Sequence, residues 1–221
     1  MTGPDRTDPI VAVDVGGTKI LAVVVADSSQ IISRRKRRTK ANKGLEAVLE
    51  RVVRAVCEAV EQAGIKMDDV RAIGLGVPGP VDSQQGVIHS APNLGWGRVE
   101  IASILRNRLG RPVFVGNDVN LCTLGELDLG AGRGMDSLIG VFVGTGIGGG
   151  IVINGDLHEG ATGAAGEIGH LIINYDGAKA NTGWRGTVES LAARPAIVAR
   201  IIERLRNGKQ KQSKLVEMVS A

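Results

Sequence analysis

An apolar run that enters a glycine-rich turn, and leaves it as a second, β-branched apolar run, constrains this chain more than any other feature. The stretch is Val141-Phe142-Val143-Gly144-Thr145-Gly146-Ile147-Gly148-Gly149-Gly150-Ile151-Val152-Ile153. Its β-branched exit reads as strand–turn–strand rather than strand–turn–helix. Five glycines in seven residues strip the turn of side chains and let backbone N–H groups point inward at an anion, most often phosphate. The other reading is a plain glycine-rich hairpin, since glycines also mark bulges and bends. A second copy favours the anion. Ile10-Val11-Ala12-Val13-Asp14-Val15-Gly16-Gly17-Thr18-Lys19-Ile20-Leu21-Ala22-Val23-Val24-Val25 repeats the pattern more than a hundred residues earlier. Such self-similarity points to an internal duplication. Two hairpins of this kind, facing one another, would clamp a polyphosphate between two domains. Asp14, at the mouth of the first turn, is placed to hold Mg²⁺ directly or through water.

Two glycine motifs imitate a dinucleotide fingerprint. Gly144-x-Gly146-x-x-Gly149 and Gly74-x-Gly76-x-x-Gly79 both match its spacing, but the fingerprint needs a helix to follow. A strand pattern follows the first, and Pro80 with a turn follows the second. Gly16-Gly17-Thr18-Lys19 has neither the order nor the spacing of a P-loop.

At 221 residues the chain has room for one large domain or two small ones. Hydrophobic residues at 43% allow a buried core, while 32 glycines and 2% aromatics make that core aliphatic and the turns many. Much of the net charge of +4 comes from Ser33-Arg34-Arg35-Lys36-Arg37-Arg38-Thr39-Lys40. This run reads as an exposed edge strand blunted by cations, with nucleic acid or an acidic surface as the other partner class. No aromatic is interleaved with it for base stacking. Cys57 and Cys122 lack metal spacing and are expected to be reduced core residues on helices of a cytoplasmic protein. Residues 1–9 are polar and short, unlike a signal peptide, and no apolar stretch reaches the length of a membrane span.

Strands are expected over 10–15, 19–27 and 30–39, as a meander. Leu45, Val48, Leu49, Val52, Val53 and Val56 mark a helix over 44–62, closed by Gly64. A strand over 70–77 stops at Pro78-Gly79-Pro80, and residues 82–96 read as a loop. A helix over 99–109 capped by Gly110, a strand over 112–116 and a helix over 119–129 complete a β-β-β-α-β-α-β-α order. The second copy begins at Leu138, with strands over 138–143 and 147–154 and strand candidates at Leu157 and 171–174. A helix over 188–207 follows, with Pro195 in its first turns or breaking it, then a polar turn over 208–213 and a short last helix. A repeat of the first half would need a further β-α-β-α.

Together these motifs resemble the ROK family of sugar kinases and sugar-responsive repressors, within the actin-like ATPase (ribonuclease H-like) α/β fold. The pieces are Asp14-Val15-Gly16-Gly17-Thr18-Lys19, Gly76-Val77-Pro78-Gly79-Pro80-Val81-Asp82, Ala91-Pro92-Asn93-Leu94-Gly95-Trp96, Gly116-Asn117-Asp118-Val119-Asn120, Gly144-Thr145-Gly146-Ile147-Gly148-Gly149-Gly150 and Gly166-Glu167-Ile168-Gly169-His170. All six occur in the family's order. The resemblance implies two similar α/β domains with a cleft between them: a small N-terminal one over 1–117 and a partial large one over 118–221.

It also implies roles. Asp118 would be the general base that takes the proton from a sugar hydroxyl, where geometry alone would also allow a helix N-cap. Gly79, Asn93, Asn117, Glu167, His170 and Glu189 would bind the sugar. The bland alternatives are a surface acid for Glu167, a satisfied polar residue at a strand start for His170 and a first-turn helix acid for Glu189. Gly16, Gly17, Thr18, Lys19, Gly144, Thr145 and Gly146 would hold the nucleotide phosphates, with Asp14 on Mg²⁺.

Three departures qualify these expectations. Family members often carry zinc-binding cysteines where this chain has Ala180, Thr182 and Thr187, so no structural zinc is expected. The family's large domain continues well past residue 221, which leaves a nearly complete sugar site and half a nucleotide site. Only nine residues precede Ile10, too few for the repressors' helix-turn-helix. The function expected is thus ATP- and Mg²⁺-dependent hexose phosphorylation, glucokinase-like, with polyphosphate open as donor. A fructokinase or N-acetylmannosamine kinase is the nearer alternative, and a non-catalytic sugar-binding regulator or remnant the more distant one. The resemblance further implies a homodimer that closes over sugar and nucleotide and binds neither nucleic acid nor membrane.

Overall fold

The structure, a computed structural model, describes residues 8–26, 30–179 and 183–206. It falls into two units. One holds the described residues up to Cys122 together with Gly160–Gly163, and the other holds Thr123–Glu159 and the described residues from Ala164 on.

The first unit is built on strands β1 (Ile10–Val15), β2 (Lys19–Ala26), β3 (Gln30–Arg38), β4 (Ala72–Val77) and β7 (Val113–Asn117), in the order β3-β2-β1-β4-β7. The meander β1–β2–β3 is antiparallel, whereas β4 and β7 add in parallel. Parallel pairing requires crossovers, which are supplied by α1 (Leu45–Gln62) and α2 (Ile101–Leu109). Strands β1 and β2 alternate. Val11, Val13 and Val15 of β1 and Ile20, Ala22 and Val24 of β2 are buried, and they meet Val48, Leu49, Val52, Val56 and Val60 from one face of α1. An α-helix repeats every 3.6 residues, so these spacings place one continuous apolar stripe against the sheet. A two-stranded hairpin of β5 (Val81–Asp82) and β6 (Val87–Ile88) interrupts the segment expected as a loop. Helix α3 (Asp118–Leu129) follows β7 without a linker.

The second unit repeats the antiparallel meander as β8 (Leu138–Val143), β9 (Ile147–Ile153) and β10 (Asp156–Leu157), in the order β10-β9-β8. The duplication read from the two glycine turns is therefore present in the topology. Helices α4 (Val188–Ala192) and α5 (Arg194–Arg206) come last. The single helix expected over 188–207 is broken at Ala193, whose ψ of 156° is extended. Pro195 stands in the first turn of α5, where its missing N–H has no helical partner to lose.

Two expectations fail. Residues 171–174 form no strand, only a bridge between Ile172 and Thr187. Leu171, Ile172 and Ile173 are all exposed, so their β-branched sequence finds no sheet to join. Cys57 and Cys122 lie on helices as expected but are exposed rather than in the core. Ala180, Thr182, the polar turn and the last short helix lie outside the described residues. Among those residues, no helix is long and apolar enough to cross a membrane.

Leu49 is 1% exposed at the centre of the α1–sheet contact. Leu49→Ala should lower stability by about 2–5 kcal/mol, because truncating a buried leucine removes transfer energy and leaves a cavity. Urea unfolding of the two proteins measures it.

Candidate active site

In the first unit, β1, β4 and β7 lie side by side so that Asp14 stands opposite Gly76, and Gly76 opposite Gly116. The two glycines leave the sheet shallow there, and α3 lies close above it. A Cβ on Gly116 would come within 3.1 Å of the Leu121 side chain, and one on Gly76 within 3.6 Å of the Asp118 Cα. Ala12 and Gly74 continue the shallow strip. The result is a cavity of about 410 Å³ with apolar walls from Leu21, Val23 and Leu121, into which Asp14 and Asp118 both project.

Such walls penalise charge. Burial pushes the Asp118 carboxyl up, and the neighbouring Asp14 charge pushes it further, against the pull of the Val119 N–H. Burial raises Asp14 as well, against the opposing charge of Lys19. A dication at Asp14 would relieve its penalty. Among the described residues no cluster of three or more His, Cys, Asp or Glu could hold a metal. Mg²⁺ is commonly bound by one or two carboxylates, with water and substrate phosphate completing its shell. Asp14, a carboxylate at the mouth of the glycine turn, fits that donor set.

The first glycine turn closes through Gly16 N–H to the Lys19 carbonyl at 2.9 Å. Thr39, just past β3, holds the turn from outside. Its N–H donates to the Thr18 carbonyl at 3.0 Å and its hydroxyl to the Gly16 carbonyl at 2.5 Å. The side chains of Thr18 and Lys19 stay exposed. Gly17 is packed so closely that a Cβ there would reach 3.0 Å from the Asn93 carbonyl oxygen. The predicted phosphate turn and the predicted sugar segment are thus neighbours within one unit.

Asn117 is more occupied than a free sugar ligand would be. Its Oδ1 accepts the N–H groups of Val119 and Asn120, both at 3.0 Å, and its Nδ2 donates to the Gly79 carbonyl at 3.1 Å. It therefore caps α3 and ties that helix to the turn at Gly79, with one amide hydrogen left over. Asp118 shares the capping through Oδ1 to its neighbour Val119 N–H at 2.9 Å. Gly79 has φ 91°, and any Cβ there would collide with the Ser90 carbonyl oxygen, so only glycine fits.

In the second unit the β8–β9 turn closes through Gly144 N–H to the Gly146 carbonyl at 2.8 Å. Two residues from the helices hold it. The Glu189 carboxylate accepts the Ile147 N–H at 2.9 Å, and the Arg194 N–H donates to the Gly144 carbonyl at 3.0 Å. A side chain at Gly146 would strike the Glu189 carboxylate, and side chains at Gly140 or Gly150 would strike Thr123. Glu189, expected as a sugar ligand, thus spends one oxygen on the glycine turn. Glu167 and His170 bracket a single 3₁₀ turn, Ile168–His170, with His170 Nε2 at 3.6 Å from Glu167 Oε2. The sequence reading missed Thr39, Thr123 and the Arg194 N–H. No periodicity marks a lone threonine or a backbone donor whose partner is distant along the chain.

Two consequences can be measured. A carboxyl whose folded pKa is raised binds its proton more tightly folded than unfolded, so ionisation destabilises the fold. Asp118→Asn keeps a capping oxygen and removes that charge. It should raise the melting temperature at pH 7, with the gain fading as pH falls through the raised carboxyl range toward the ordinary value. Thermal melts across acid to neutral pH test this. Glu189→Ala should accelerate amide exchange at Ile147 well above wild type, whereas Glu189→Gln, which keeps an acceptor, should not.

The sequence model of the ROK family matches residues 10–220. A glucokinase of Thermotoga maritima is 34% identical over 189 residues, covering 85% of this chain and 58% of its own length. A xylose repressor of Caldicellulosiruptor bescii is 30% identical, over 90% of this chain and 50% of its own. The crystal structure of a ROK family glucokinase from Streptomyces griseus, in complex with glucose and AMPPNP, superimposes with a TM-score of 0.80 at 36% identity. It covers 90% of this chain and 62% of its own. The chain thus spans little more than half the length of these relatives. Its fold is the actin-like ATPase fold of that structure, and the chain belongs to the ROK family.

Proposed function

We propose that this chain is the sugar- and phosphate-binding part of a ROK hexose kinase, with glucose as its acceptor and ATP as its donor. The observation that carries the reading is Asp118. It is a carboxylate held at the start of α3, facing an apolar cavity beside Asp14, with its proton affinity raised by burial. A base that removes a proton from an alcohol gains from a raised pKa. Similarity to the glucokinases of T. maritima and S. griseus supports glucose over fructose or N-acetylmannosamine.

In the proposed reaction a sugar hydroxyl oxygen attacks the γ-phosphorus of ATP. The new O–P bond forms as the bond to ADP breaks, and the hydroxyl proton passes to the Asp118 carboxylate. Asn93, Gly79 and the remaining Asn117 amide hydrogen in the first unit would orient the sugar, as would Glu167, His170 and the free Glu189 oxygen in the second. The N–H groups of Gly17 and Gly146, with the Thr18 and Thr145 hydroxyls and Lys19, would hold the phosphates, and Gly16 and Gly144, whose N–H groups close the turns, would let the phosphates approach the backbone. When bound, Mg²⁺ would neutralise phosphate charge. Asp14 would be its main protein ligand.

A second reading, a sugar-binding regulator without turnover, is supported by the resemblance to the xylose repressor and by the share of the kinases that this chain spans. Coupled assay of ADP release with glucose, fructose and N-acetylmannosamine separates the two. For the kinase, Asp118→Asn should reduce the rate on the order of 10²–10⁴-fold, the usual worth of a general base, while calorimetric glucose affinity changes little. Equal losses of rate and affinity in a folded variant would remove Asp118 from the base role. Glucose binding without ADP release by the wild-type chain would favour the regulator.

A further inference from the structure

Thr39 is fully buried and stands just past the end of β3. Both of its polar hydrogens are spent on the first glycine turn. The hydroxyl donates to the Gly16 carbonyl at 2.5 Å, and the N–H donates to the Thr18 carbonyl at 3.0 Å. The two acceptors flank Gly17 on either side. The N–H bond continues the pairing of β2 with β3, which ends at Lys19 and Arg38, so most residues at position 39 would make it. The hydroxyl bond is different. The strand pairing does not call for it, and it needs a short hydroxylated side chain.

Its effect follows from peptide geometry. No peptide bond is cis among the described residues, and in a trans peptide the C=O and the following N–H point in opposite directions. A hydroxyl that draws the Gly16 C=O toward Thr39 therefore turns the Gly17 N–H the other way. That N–H has no backbone partner among the described residues, whereas the Gly16 N–H is spent on the Lys19 carbonyl. Next to Gly17 lies the Asn93 backbone, whose carbonyl oxygen is 3.0 Å from where a Cβ would stand. Asn93 belongs to a separate 3₁₀ turn, Pro92–Leu94. That turn closes through its own bonds, Leu94 N–H to the Ala91 carbonyl at 2.9 Å and Gly95 N–H to the Pro92 carbonyl at 3.0 Å. The second glycine turn uses the same device with another donor. Its Gly144 carbonyl accepts the Arg194 N–H at 3.0 Å, which fixes the direction of the Thr145 N–H in the same way.

A glycine pair left to itself can rotate the peptide between its members through many directions. A donor already aimed at an anion needs no reorganisation when the anion arrives. We infer that Thr39 is a positioning residue for the nucleotide phosphates: its hydroxyl, acting through the Gly16 carbonyl, aims the Gly17 N–H at them. This role rests on the kinase reading of the first glycine turn. Thr39 itself is buried and its hydrogens are committed, so it acts through the turn and not by touching phosphate.

Calorimetric titration of the whole chain with AMPPNP, and separately with glucose, tests this in the wild type, Thr39→Val and Thr39→Ser. Valine keeps the shape and the N–H of threonine and loses the hydroxyl. Serine keeps the hydroxyl and loses the methyl group. Thr39→Val should weaken AMPPNP binding about fivefold or more, the usual worth of one hydrogen bond. Its glucose affinity should change little, because the Asn93 turn is closed by its own bonds. Thr39→Ser should bind AMPPNP nearly as tightly as the wild type. If Thr39→Val does not fold, Thr39→Ala compared with Thr39→Ser isolates the same hydroxyl. A wild type that does not bind AMPPNP would overturn the phosphate reading of the turn, and the role of Thr39 with it. A wild type that binds AMPPNP no more tightly than Thr39→Val would overturn the role of Thr39 alone. So would equal losses of AMPPNP and glucose affinity in Thr39→Val, or a loss in Thr39→Ser as large as in Thr39→Val, since both mark a residue needed only for packing.

Discussion

Two carboxylates share an apolar-walled cavity because the strands beneath α3 carry glycine at Gly74, Gly76 and Gly116. Asp14, Gly76 and Gly116 lie in register across β1, β4 and β7, and the glycines let α3 settle over the strand ends with Asp118 at its first position. A Cβ at Gly116 would press on the Leu121 side chain. Ionising Asp118 and Asp14 costs the fold free energy, because burial raises both. That cost is sustained by the aliphatic core on the other face of the sheet, where α1 buries its apolar stripe. Sites that work against stability in this way are common where a group must change charge during its task.

The remaining parts of the site are arranged by backbone hydrogen bonds from outside the motifs. Each glycine turn is closed by one internal bond and then held by residues far along the chain, Thr39 for the first and Glu189 with Arg194 for the second. A glycine turn alone has many conformations. The outside bonds select one of them. Asn117 does similar work for α3, fixing its start and its link to Gly79.

Much of the site could be read from the chain. Its motifs named Asp14, Gly79, Asn93, Asp118, Glu167 and His170, and the structure gathers the first four in one unit and the last two in the other. Less legible was how occupied each side chain is. Asn117 and Glu189 read as polar groups available to a sugar, yet each already satisfies backbone donors. Residues 171–174 read as a strand, but β-propensity reflects packing against neighbours, and here pairing is limited to one bridge, Ile172 to Thr187. Cys57 and Cys122 were placed correctly on helices and wrongly in the core, since a helix face is decided by what packs on it.

The sequence by itself determined the elements and their repetition. Alternating apolar residues fixed the strands, 3.6-residue spacing fixed α1, and the two glycine turns fixed the duplicated meander, because these depend on local periodicity and on the sterics of glycine. Only the tertiary structure made Gly74 and Gly76 a shallow strip under α3. It also placed Asp14 and Asp118 in one cavity, where the Asp14 charge bears on Asp118, and turned the cation run of β3 into one wall of a groove. Those outcomes rest on register between strands and on the electrostatics of burial, which join residues a hundred positions apart and leave no trace in local pattern.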